Sequence, residues 1–268
     1  MKRTYVWATL LLSFGLCGLS LTSCGDDDDD VLTEVTVPGN GNDNNPDSGD
    51  EGNGNGDGEG DGKEDEGDGG KPDLNGHEAI DLGLSVKWAT CNVGANTPEE
   101  YGGYYAWGET EVKDYYDWNT YKYGNGSSCP LTKYCTDSSS GTVDNKIVLD
   151  PEDDVVHVKW GGSWRMPTAS EINELLNNCS WTWTVQNGVN GYVVTSESNG
   201  NSIFLPAAGW CWDGNVGGSG SGGNYWSASL DESNSYSSSA YGLYFGNGYR
   251  DLYNSSRYVG FSVRPVTE

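Results

Sequence analysis

"PTASEINELLNNC", residues 167–179, holds the one stretch that reads convincingly as helix. Thr168 stands at the N-cap position and Glu171 three residues later, the reciprocal pair of a capping box, in which each side chain takes up an orphan backbone N–H of the other. Ile172, Leu175, Leu176 and Cys179 then recur at helical spacing and give the helix an apolar face. Just upstream, Trp160, Trp164, Arg165 and Pro167 read as structural: aromatic packing and a fixed turn leading into the helix.

Outside this stretch the texture changes. "LSVKWAT" (84–90), "GYYAWG" (103–108), "YVVTSE" (192–197), "SIFLPAAG" (202–209), "YWSAS" (225–229), "YGLYF" (241–245) and "FSVRPV" (261–266) are short and β-rich, with Gly, Asn and Ser clusters between them. One helix among many short strands predicts an irregular, loop-rich α+β domain. Residues 73–268 have the length for one such domain with a core of its own.

The residues ahead of the domain carry address rather than fold. Lys2 and Arg3 precede an apolar run from Tyr5 to Leu21, the pattern of a secretory signal, too short and wrongly flanked for a membrane span. The ending Leu21-Thr22-Ser23-Cys24 resembles a bacterial lipobox, which implies removal of residues 1–23 and lipidation of Cys24. The following Gly25 and Asp26 to Asp30 resemble the acidic export signal of Bacteroidetes lipoproteins, and the implied location is the outer membrane, lipid-anchored and facing outward. Residues 26–72 hold 17 acids against Lys63 and Lys71, a net of −15 out of the chain's −26. So polar and self-repelling a segment cannot bury a core, so residues 24–72 are expected to be a disordered tether beyond the lipidated cysteine. The folded part keeps −13 and has no basic cluster. Nucleic acid is therefore not an expected partner, and the membrane is expected to be touched through the lipid anchor only.

With Cys17 removed and Cys24 lipidated, five cysteines keep a thiol, Cys91, Cys129, Cys135, Cys179 and Cys211, so at least one of them is unpaired. Cys129 and Cys135 share a Gly/Ser/Pro-rich loop and make the most natural disulfide, although spacing alone leaves the pairing open.

The motifs "AIDLGLSVKWATCNVGA", "GGYYAWGET", "WGGSWRMPTASEINEL", "IFLPAAG", "NYWSASL" and "RYVGFSVRPV", in that order over roughly residues 77–268, resemble the Fibrobacter succinogenes major paralogous domain. The resemblance implies a C-type-lectin-like fold of the formylglycine-generating-enzyme type, with few helices and a loop-rich surface near the C-terminus. It does not imply an activity. The related formylglycine-generating enzymes hold copper with a pair of cysteines in their C-terminal part, whereas here Cys211 is alone beyond Cys179. No nucleophile–base pair, paired carboxylate or phosphate loop is visible, so no catalytic residue and no cofactor are expected. "DPEDD" (150–154) leaves calcium open: it is an oxygen-rich cluster, but its spacing is not that of a calcium loop, and acids ahead of a short helix commonly serve its dipole.

The last distinctive stretch is "SYSSSAYGLYFGNGYRDLYNSSRYVGFSVRPV" (235–266), with six tyrosines among Ser, Gly and Asn. At strand period Leu243 and Phe245 share one face and Tyr244 takes the other. Ala240, Leu243, Phe245, Leu252, Gly260, Val263 and Pro265 read as scaffold. Tyr236, Ser237, Ser238, Tyr241, Gly242, Tyr244, Gly246, Tyr249, Asp251, Tyr253, Asn254, Ser255, Ser256, Tyr258, Val259 and Phe261 read as ligand-binding candidates. Tyr, Ser, Gly and Asn are the residues that paratopes favour, because Tyr gives large contact at small entropic cost and the others give adaptable polar contact. A solvated, aromatic-rich loop is the plainer alternative. Residues 73–232 contain 28 of Lys, Glu, Gln, Met and Trp, and residues 233–266 contain none. Those five cannot be encoded when the adenines of an Asn codon are randomised and its third base stays a pyrimidine. The segment thus resembles the variable region of proteins diversified by a retroelement, which also use C-type-lectin-like scaffolds. The expected function is a non-enzymatic surface lipoprotein that binds a protein, glycan or phage ligand through its C-terminal face. A structural surface module and a formylglycine-generating-like enzyme are the alternatives.

Overall fold

The computed structural model describes residues 74–128, 130–233 and 237–268, all within the unit Glu64–Glu268. The regular elements are short. Strands β1 (Ala79–Ile80) and β2 (Lys87–Ala89) come first; after a long stretch of turns and isolated bridges, a 3-10 turn (Pro151–Asp153) leads into helices α1 (Val155–Trp160) and α2 (Ala169–Asn178). Then follow β3 (Cys179–Gln186), β4 (Val189–Ser196), β5 (Ser202–Pro206), β6 (Trp210–Trp212), β7 (Asn215–Gly217), β8 (Gly222–Leu230), β9 (Ser239–Gly246), β10 (Tyr249–Ser256) and β11 (Val266–Thr267). The domain is α+β, sheet-rich and loop-rich, with few helices.

Both helices begin on a side-chain cap. The Glu171 carboxylate accepts from Thr168 N at 2.7 Å while Thr168 Oγ1 accepts from Glu171 N at 3.3 Å, which completes the capping box. Arg165 forks onto the same carboxylate at 2.7 and 2.9 Å, so it fixes the cap as well as the approach. Asp154 caps α1, accepting from Val156 N and His157 N, and its second oxygen accepts from Met166 N, tying α1 to the strand-like run before α2. Helix α2 ends because Cys179 turns extended (φ −128°, ψ 146°) and opens β3 with no intervening loop.

Three antiparallel three-stranded sheets and a hairpin make up the rest: β3–β4–β5, β8–β9–β10, β1–β2–β11, and β6–β7. In the third sheet β2 pairs with β1 on one side and with β11 on the other, joining opposite ends of the described chain. Apolar side chains pack in two clusters. One holds Ile172 and Leu175 of α2 against Tyr192, Val194 and Leu205, and against Tyr225, Leu243 and Phe245 of the β8–β10 sheet. The other gathers Trp107, Trp164, Trp226, Phe261 and Val263 with Tyr116, Tyr121 and Tyr134.

A domain with this much irregular backbone must satisfy carbonyls that no strand pairs. Two buried arginines do so. Arg257 donates to the carbonyls of Lys133, Tyr134 and Ser237 and to Tyr121 Oη at 2.8–3.1 Å, with its guanidinium 4.9 Å from the Trp107 ring centre. Arg264 donates to the carbonyls of Ala89, Thr90 and Phe204 and to Asn92 Oδ1 at 2.8–3.0 Å.

Several local expectations change. "GYYAWG" forms an isolated bridge, Tyr105 to Phe261, rather than a strand, and only Val266 of "FSVRPV" reaches one. Strands β1, β3, β6, β7 and β10 arise where no strand was expected, and α1 is the short helix that follows the acids of residues 150–154. The four described cysteines, Cys91, Cys135, Cys179 and Cys211, are free. Of the expected Cys129–Cys135 pair, Cys129 lies outside the described residues, and the Cys135 thiol donates to the Asp137 carbonyl at 3.1 Å.

Candidate ligand-binding cleft

Strand β9 divides its residues by alternation. Leu243 and Phe245 point into the core, and Gly242, Tyr244 and Gly246 take the other face. Residues paired directly across antiparallel strands share a face. Register therefore brings Tyr249 opposite Gly246, Asp251 opposite Tyr244 and Tyr253 opposite Gly242, with Asn224 of β8 opposite Tyr244. A Cβ on Gly246 would lie 2.4 Å from the Tyr249 hydroxyl. The bare glycine lets that ring fold across β9, where its hydroxyl shares a hydrogen bond with Tyr244 Oη at 3.0 Å. The Tyr244 ring lies 5.3 Å from Tyr249 and 6.2 Å from Tyr253.

A second wall faces this row. Gly209 turns the chain from β5 into β6 with φ 72°, and a Cβ there would come within 2.1 Å of the Gly217 carbonyl, so the turn admits only glycine. Cys211 exchanges backbone hydrogen bonds with Gly260 at 2.7 and 2.9 Å, which ties β6 to the segment carrying Tyr258, Val259 and Phe261. Tyr258 is backed by Trp118 at 4.9 Å between ring centres.

The walls enclose a cleft of about 510 Å³ lined by Trp210, Trp212, Asn224, Gly242, Leu243, Tyr244, Tyr253, Ser255, Ser256, Tyr258, Val259 and Phe261. Eight of these are sequence candidates: Gly242, Tyr244, Tyr253, Ser255, Ser256, Tyr258, Val259 and Phe261. Tyr253 is 63% exposed and Trp212 54%, so both offer open ring surface. Tyr249, Gly246 and Asp251 share the face but not the lining.

The remaining candidates separate from the cleft. Tyr241 and Asn254 are paired on the Leu243 side of the sheet, where both hydrogen-bond to Asp231, Asn254 at 2.6 Å. Ser237 is fully buried at φ 51°. Its hydroxyl accepts from Thr136 N at 3.1 Å and its carbonyl accepts from Arg257, so it anchors a loop instead of facing a ligand. Ser238 is half-buried, and its carbonyl accepts from Arg257 N. Tyr236 lies outside the described residues, as do Cys24, the signal segment and residues 24–73.

Trp210, Trp212 and Asn224 line the cleft without having been anticipated. A signal was present: Trp210 and Trp212 alternate about Cys211, and Asp213-Gly214 behind them, both at positive φ, is a hairpin turn pair. Chemically the lining offers indoles, phenols, one amide and two hydroxyls. The hydrogen bond shared with the Tyr249 hydroxyl, together with burial, pushes the Tyr244 phenol up to about 12, and burial raises that of Tyr258. Both stay neutral at physiological pH. The groups stack on flat apolar surface and exchange hydrogen bonds.

The acidic cluster lies elsewhere and is already occupied by ammonium groups. Lys133 Nζ sits 2.6 Å from Asp150, 3.3 Å from Glu152 and 2.5 Å from Asp153, while Lys122 reaches Asp153 and Lys146 reaches Asp150. Burial would raise the Asp153 carboxyl, but Lys133 and the Tyr134 hydroxyl outweigh it and hold the group far below the usual carboxylate range. A calcium ion at Asp150, Glu152 and Asp153 would have to displace Lys133. The chain matches no protein-family model, no curated protein and no solved structure.

Proposed function

We propose that the protein is a non-enzymatic, surface-exposed lipoprotein, anchored through Cys24, that binds a protein, glycan or phage ligand in the cleft between β6 and the β8–β10 sheet. One observation carries this reading: nine of the twelve lining residues come from residues 233–266, the segment rich in Tyr, Ser, Gly and Asn. The same observation favours diversification by a retroelement, since a varied segment is useful where its side chains meet a ligand. A sheet-rich domain with few helices is compatible with a C-type-lectin-like scaffold of the formylglycine-generating-enzyme type. Burial raises the Cys211 thiol and keeps it protonated, which works against a metal-thiolate role. No helix among the described residues is long and apolar enough to cross a membrane.

Two experiments test this. Cys24→Ala should move the protein from the membrane to the soluble fraction, and protease added to intact cells should cut the wild-type domain. Full protection would remove the surface assignment. For binding, the full chain and its Trp212→Ala and Tyr253→Ala variants are applied to arrays of peptides and glycans. A ligand held by the wild type and lost by both variants, with unchanged melting temperature, is expected. Retention that ignores the rings, or none at all, favours a structural module.

A further inference from the structure

The cleft is walled by rings, and its rim is acidic. Asp213 directly follows Trp212 in the β6–β7 turn, and Asp251 is the cross-strand partner of Tyr244 on the cleft face. Asp117 adjoins Trp118, whose ring supports Tyr258. Besides burial, the carboxylates of Asp117 and Asp213 contribute to the raised Tyr258 phenol, which puts their field at that end of the cleft.

The neighbouring cations are turned away or already paired. Arg250 is register-paired with Phe245 and lies over the Trp181 ring at 5.5 Å, on the other side of the sheet. Arg257 is buried among carbonyls and rings. Lys113 is bound to Glu109 at 2.9 Å. The faces of indole and phenol rings carry negative potential, so rings and rim act in the same sense.

A neutral sugar would gain stacking here and hydrogen bonds from its hydroxyls to the carboxylates but no charge attraction, and an anion would be repelled. An arginine or lysine side chain gains from both, since its stem packs on apolar surface and its head meets ring faces and acids. Resting on the cleft-binding reading above, we propose that the occupant is a basic protein segment. It inserts an arginine or lysine side chain against Trp212, Tyr253 and Tyr258, with Asp213 and Asp251 as counter-charges.

The test titrates the full chain with short Gly/Ser peptides carrying a central pair of arginines, lysines, citrullines, leucines or glutamates, followed by tryptophan fluorescence and calorimetry. Arginine and lysine peptides should bind, and citrulline, which keeps the shape of arginine without its charge, should bind about tenfold or more weakly. Arginine-peptide affinity should fall about tenfold between low and high salt, as exposed charge pairs do. The double variant Asp213→Asn, Asp251→Asn should lose about as much, and each substitution is isosteric, so folding is preserved. Trp212→Ala and Tyr253→Ala leave the net charge untouched and should abolish binding.

Equal binding of citrulline and arginine peptides overturns the proposal, as does failure of the arginine and lysine peptides to bind. Ring variants that bind like the wild type also overturn it, because attraction is then to bulk negative charge. If a neutral glycan or peptide on the arrays is instead retained in a ring-dependent way, the cleft reading stands and the cationic occupant falls. If nothing is retained in a ring-dependent way, the cleft reading itself falls.

Discussion

The two faces of the β8–β10 sheet carry aromatic clusters of similar spacing and opposite consequence. Inside, Phe245 meets Trp181, Trp183, Tyr192 and Tyr225 with ring centres 5.4–6.5 Å away, and it is wholly buried. Outside, Tyr244 meets Tyr249 and Tyr253 at 5.3 and 6.2 Å, and the latter two rings are about half exposed or more. The inner rings have already spent their apolar surface on folding. The outer rings keep much of their surface exposed at Tyr249 and Tyr253, and that surface is free to be covered by something else. One strand thus serves stability and recognition through residues that are immediate neighbours, and a change at position 244 need not disturb position 245.

The largest effect that could break this contrast is on the inner face. Phe245→Ala should cost about 3–5 kcal/mol and Leu243→Ala about 2–5 kcal/mol, read by urea denaturation. A loss under about 1 kcal/mol would mean that the sheet is not packed through these residues. Next comes binding: once a ligand is in hand, Trp212→Ala or Tyr253→Ala should weaken it by about 2 kcal/mol or more, as centrally placed aromatic anchors do.

A smaller effect sharpens the outer face alone. Tyr244 has its phenol raised to about 12 by the Tyr249 hydrogen bond and by burial. Because the folded value lies above the ordinary one, the contribution to stability is complete below about pH 10 and is lost as pH rises through 12. Tyr249→Phe should bring the Tyr244 phenol down toward its ordinary range in an ultraviolet titration. An unchanged titration would show that the two hydroxyls do not meet. Smallest of all, Tyr253→Ala should leave thermal stability within about 0.5 kcal/mol. A drop comparable to that of Phe245→Ala would make the outer rings core and erase the difference between the faces.

What was legible in the sequence follows from where hydrophobic contrast exists. Helix α2 announced itself through Thr168, Glu171 and its apolar face, and β9 through the alternation of Leu243 and Phe245 with polar-capable residues. Strand β3 was hidden by its neighbour. Cys179, Trp181, Trp183 and Val185 repeat at period two, but Cys179 also completes the helical spacing of α2, and it serves both as cap and as first strand residue. Strand β10 has almost no contrast to read: of "YRDLYNSS" only Leu252 packs against the core, and the strand exists because it pairs along its whole length with β9. For the cleft, composition marked the wall made by residues 242–261 but could not mark Trp210, Trp212 and Asn224, which lie before the compositional boundary. Nor could it see that Ser237 goes under the surface to meet Arg257. Composition reports the palette of a segment, and burial depends on partners far away in sequence.

The union of β2 with β11 sets a clock on the making of the domain. Trp88 pairs with Val266, and Arg264 just ahead of it pins the backbone at Ala89, Thr90 and Phe204. At a synthesis rate of about 5–20 residues per second, β2 waits roughly ten seconds or more for its partner to be made. For nearly all of that interval the first strands lack β11 and the loops lack both of their buried arginines, Arg257 and Arg264. A chain that must be threaded across a membrane before it folds would be served by this delay, because the step that seals the fold comes long after its first strands are made.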